Sequence, residues 1–109
     1  MINKVLSQKP DDEYAIYYKG LNLDELKKTS EAIKQYKMLI SKHPEFSNAY
    51  YSLALDLDNT ENYKEAIGYY EKFLSLKTKN NEKDEMTEFC TSRIKELKDY
   101  LNQLNASSK

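Results

Sequence analysis

The chain matches itself, without a gap, when it is slid by the interval that carries Tyr17 onto Tyr51 (51 − 17 = 34). Pro10 then falls on Pro44, Gly20 on Ala54, Leu23 on Leu57, Glu31 on Glu65, Ala32 on Ala66, Ile33 on Ile67 and Tyr36 on Tyr70. A period of this length marks a supersecondary unit that cannot bury its apolar face alone, so successive copies must stack. The matched residues are mostly small or apolar and are spaced as on helical faces. In the second copy, Tyr50, Leu53, Ala54 and Leu57 mark one stripe, Asp58-Asn59-Thr60-Glu61-Asn62 interrupts it, and Ala66, Ile67, Tyr70, Phe73 and Leu74 mark another. The spacing predicts helices over 12–26, 29–42, 47–59 and 63–77, with Ser47, Thr29 and Ser30 as expected N-caps. Gly20 or Ala54 on the first helix of each pair, and Ala32 or Ala66 on the second, let the two helices approach closely. Two glycines and two prolines in 109 residues agree with long helices and few tight turns.

These residues resemble the tetratricopeptide repeat. Residues 13–46 look like one copy, through Gly20, Leu23, Ala32, Tyr36 and Pro44, and residues 47–80 like a second, through Tyr50, Leu53, Ala54, Leu57, Ala66 and Tyr70. Lys19 stands where the repeat carries Leu, Leu39 and Phe73 where it carries a small residue, and Thr78 where it carries Pro. The resemblance implies an all-α, right-handed α-solenoid in a single domain. Residues 1–12, with Val5 and Leu6 on Asn3–Lys9, would be the remainder of a preceding repeat. Residues 81–105 would form a long capping helix, with Met86, Phe89, Cys90, Ile94, Leu97, Leu101 and Leu104 on one side, and 106–109 a frayed tail.

Composition narrows the function. With 17 basic and 18 acidic side chains the formal charge is −1, and Arg93 is the lone arginine, so no basic excess exists to displace counterions from nucleic acid. A single cysteine excludes an internal disulfide framework and multi-Cys zinc sites. No stretch approaches the roughly 18 apolar residues of a membrane helix, and a cytoplasmic location is expected. His43 precedes Pro44 at an expected turn, and Cys90 falls on an apolar stripe, so neither reads as catalytic. The acids at Asp11, Asp12, Glu13, Glu82, Asp84 and Glu85 sit at helix starts, where the dipole accounts for them. No enzyme activity, metal or cofactor is expected.

In the resembled family, the first helix of each unit lines a concave surface. The resemblance places Tyr14, Tyr17, Tyr18, Leu21, Asp24 and Glu25 there from the first unit, and Asn48, Tyr51, Ser52, Leu55, Asp58 and Asn59 from the second. Tyr offers a rigid apolar body with a polar tip, a combination enriched at recognition surfaces. The implied function is a non-catalytic scaffold or adaptor that binds a peptide or helix of a protein partner in this groove. Tyr17, Leu21, Tyr51 and Leu55 are the expected apolar contacts, and Tyr14, Asp24, Asn48 and Asp58 the polar ones. A carboxylate-clamping groove is disfavoured, because Tyr17, Leu21 and Ser52 replace the cations and amides it would need. The alternative is self-association as a weak homodimer, or docking within a longer array, through the open N-terminal edge.

Overall fold

The computed structural model describes residues 12–107. Five helices follow one another: α1 (Glu13–Glu25), α2 (Thr29–Lys42), α3 (Ser47–Asn59), α4 (Tyr63–Lys79) and α5 (Glu85–Ser107). No strand occurs among the described residues, and the fold is an all-α, repeat-built solenoid. The portion expected at Asn3–Lys9 lies outside the described residues.

Helix starts are set by different residues from those expected. The Asp12 carboxylate caps α1, accepting from the Tyr14 and Ala15 amides at 2.7 and 3.4 Å. Lys28 and Phe46 are the caps of α2 and α3, and neither makes a side-chain cap bond. Thr29, Ser30 and Ser47 therefore lie inside the first turns and do not cap them. The turn preceding α3 is held another way, since Tyr50 Oη donates to the Pro44 carbonyl at 2.8 Å. Helix α5 begins at Glu85 rather than at 81 because Asp84 and Thr87 form a reciprocal box. The Thr87 amide donates to Asp84 Oδ1 at 3.0 Å, and the Asp84 amide donates to Thr87 Oγ1 at 2.9 Å.

Three helix ends share one geometry. Lys27, Glu61 and Asn81 have φ of 64°, 66° and 61°, the left-handed region. In each case the next amide reaches back to the helix: Lys28 to the Leu23 carbonyl, Asn62 to Leu57 and Glu82 to Lys77, all at 2.8 Å. These are Schellman closures; the first two complete the chain reversal within residues 26–28 and 60–62, and the third opens the longer connection 80–84.

The core follows the repeat. Ala32, Tyr36, Leu53, Ala54, Ala66, Tyr70, Phe73 and Cys90 are fully buried in one cluster. Leu39, the other large residue at an expected small position, is fully buried beside Ile16 and Ala49. The stack thus accommodates both bulky departures inside its hydrophobic interior.

Candidate functional site

Contacts between first helices show how they line up. Tyr17 Oη on α1 shares a 3.0 Å hydrogen bond with Ser52 Oγ on α3. The Tyr51 ring on α3 lies 6.2 Å, edge to face, from Phe89 on α5. Arg93 on α5 grips Asp58 on α3 with two hydrogen bonds of 2.7 Å, from Nε to Oδ2 and from Nη2 to Oδ1. Helices α1, α3 and α5 are therefore neighbours along one face. Helices α2 and α4 pair with them through Tyr36 and Tyr70.

The side chains expected at a binding surface fall into two groups. Tyr17, Leu21, Tyr51 and Leu55 are half-buried, packed against the core cluster with part of each side chain open. Tyr17 lies in an aromatic cluster, 5.2 Å from Phe46 and 6.0 Å from Tyr36. Tyr14 is exposed and meets Phe46 edge to face at 5.3 Å, and Asn48 is exposed. The two acids are placed differently. Asp58 is 8% exposed, and both its oxygens are taken up by Arg93 and by the Tyr70 hydroxyl, which donates at 2.8 Å. Arg93 above all holds its carboxyl below the usual carboxylate range. Asp24 is half-buried and accepts from Tyr36 Oη at 2.8 Å. A buried tyrosine hydroxyl needs an acceptor, and these acids supply it at the same place in each hairpin.

Phe89 joins this face and was assigned to the packed side of α5 on sequence grounds. It is 42% exposed, against Tyr51 and the buried Tyr70. Its signal lay in the repeat: Leu21, Leu55 and Phe89 are evenly spaced (55 − 21 = 34; 89 − 55 = 34). Leu104, also expected on the packed side, is 47% exposed.

Asp56 on α3 was not expected at the site. It is 7% exposed, and its Oδ2 has no hydrogen-bond partner among the described residues. Burial first, then the adjacent Asp24 carboxyl, push it up to about 8. At neutral pH it is therefore largely the neutral acid, able to donate to Asp24.

Other candidates for chemistry are quiet. The Cys90 thiol is fully buried and pushed up to about 12 by burial, far from the thiolate a nucleophile requires. His43 Nδ1 sits 3.7 Å from Glu13 Oε2 at the end of α2. No group of three His, Cys, Asp or Glu that could hold a metal ion exists among the described residues. Nor is any described helix long and apolar enough to cross a membrane.

Comparison with known proteins agrees with this architecture. The family model of the tetratricopeptide repeat matches residues 14–45, the first hairpin. The first hairpin thus matches a tetratricopeptide repeat. The fold of the chain is similar to that of the Sgt2 TPR domain from Aspergillus fumigatus, with a TM-score of 0.76, 17% identity, and coverage of 98% of this chain and 68% of that one. It is also similar to a tetratricopeptide repeat domain protein from Salinibacter ruber, with a TM-score of 0.62, 20% identity and 84% of each chain covered. No curated protein sequence matches the chain. Tetratricopeptide repeat folds serve in general as protein–protein interaction modules.

Proposed function

We propose that the face of α1, α3 and α5 is a groove that binds a peptide or helical segment of a partner protein. The observation that carries this reading is the strip of half-open side chains running across three helices, Tyr17 and Leu21, then Tyr51 and Leu55, then Phe89. A stack of hairpins holds such a strip in place before the partner arrives, which lowers the ordering cost of binding. The protein then acts as a non-catalytic scaffold or adaptor in the cytoplasm, with neither nucleic acid nor membrane as its target. Aliphatic anchors on the partner would fill the spaces between the rings. Replacing Tyr17→Ala together with Tyr51→Ala abolishes partner capture from source-cell extract while the fold persists, as read by affinity capture beside circular dichroism. Equal capture by variant and parent refutes the groove.

A second reading has its own observation. The outer side of the first hairpin carries a hollow of about 390 Å³ lined by Ala15, Ile16, Tyr18, Lys19, Asn22, Gln35 and Met38. Tyr18 is 52% exposed there. A second copy of the chain, or a further repeat, would dock on that side.

A further inference from the structure

Asp24 and Asp58 are repeat equivalents (24 + 34 = 58), and each takes a 2.8 Å hydrogen bond from the equivalent tyrosine behind it, Tyr36 or Tyr70. Their fronts differ. Asp58 faces Arg93, which the next first helix delivers in a two-pronged grip. The residue in the corresponding register before Asp24 is Asn59 (93 − 34 = 59), an exposed amide. No basic side chain is paired with Asp24 among the described residues. Beside it instead is a second carboxyl, Asp56, nine-tenths buried, with Oδ2 finding no donor among the described residues.

We propose that the Asp24–Asp56 pair is the cation-recognising subsite of the groove, taking the guanidinium of an arginine on the bound segment as Asp58 takes Arg93. This rests on the groove reading and specifies it. A guanidinium is a planar fork of donors, suited to two carboxyl groups at once, and it is more weakly hydrated than an ammonium. It supplies what the pair lacks, a fixed positive charge and a donor for the orphaned oxygen.

The subsite is coupled to protons. The titratable groups that act on Asp56, or on which it acts, are Asp24 from α1 and Tyr36 from α2, and neither is a cation. Without a bound cation, the proton on Asp56 separates the two acids. An arriving guanidinium favours the doubly ionised pair and releases that proton. Affinity therefore climbs with pH and levels off above the Asp56 midpoint of about 8, rising about ten-fold across the two pH units centred there.

The test uses N-acetyl-arginine amide as probe and N-acetyl-citrulline amide as its neutral isostere, with the carboxyl carbons of Asp24 and Asp56 followed by NMR. The arginine probe shifts both resonances saturably, lowers the Asp56 midpoint and binds more tightly as pH rises; citrulline does none of this. Asp24→Asn removes the response. Asn59→Arg supplies the cation from within, lowers the Asp56 midpoint and excludes the probe. Arginine acting no differently from citrulline, or an unmoved Asp56 midpoint in Asn59→Arg, overturns the subsite. Partner capture that still depends on Tyr17 and Tyr51 would then leave the groove standing without it. Loss of that dependence with an intact arginine response would sink the groove alone.

Discussion

The two glycines have opposite meanings although both sit inside helices. A Cβ on Gly20 would lie 2.9 Å from both Cδ1 and Cζ of Tyr36, a ring wholly buried and tied to Asp24. The ring cannot retreat, so Gly20→Ala overpacks the first hairpin and costs about 1–3 kcal/mol. Nothing lies within 4 Å of the equivalent point on Gly68. There Gly68→Ala recovers backbone entropy and stabilises by about 0.5–1 kcal/mol. Urea unfolding of the two variants gives shifts of opposite sign. Asp56 makes a prediction in pH. Its folded-state midpoint is raised from 3.8 to about 8, so the native chain holds a proton that the unfolded chain has lost between those values. The contribution is full below 3.8, erodes as pH rises and is gone once pH passes about 8. Asp56→Asn keeps a donor toward Asp24 without the charge. Melting curves across that window should show this fall in the parent and its removal in the variant, which is the more stable protein at alkaline pH.

At the scale of elements, the helix ends carry removable strain. Lys27 and Glu61 occupy left-handed backbone that side chains with a Cβ disfavour by about 1 kcal/mol, whereas Asn81 tolerates it. Lys27→Gly and Glu61→Gly should each raise stability by about 0.5–1 kcal/mol and add when combined, because the two turns are separate; thermal unfolding of the three variants checks this. The same ends show what the sequence made legible. The limits of α2 and α3 were readable to the residue, because the apolar stripe stops where the interrupting polar run begins. Cap identity was not readable. Ser47 and Thr29 look like caps by composition, but a polar hydroxyl one place too late falls inside the helix. The candidate face was half legible. The tyrosines and leucines stand in their repeat register, while Asp58 is drawn inward by Arg93, a partner 35 residues away that no local pattern announces. Phe89 is hidden in the sequence because it stands both on the apolar stripe of α5 and in the register of Leu21 and Leu55.

For the whole molecule, stacked hairpins have two ends, and only neighbours hold each other. Tyr18 and Met38, 52% and 38% exposed, mark the outer side of the first hairpin. If that side joins two copies, light scattering will find a dimer that Met38→Glu dissolves, and a monomer at every concentration rejects the second reading. On the other side of the described stack, α5 sends Cys90 and Leu97 into the shared core. Polar ties between α5 and the hairpins include Arg93 to Asp58 at 2.7 Å and Lys98 to Glu71 at 3.0 Å. The lone thiol lies at that seam with no solvent-accessible surface. An alkylating reagent can reach it only while the last helix is lifted away, so the chain carries its own clock for how often its final joint comes undone.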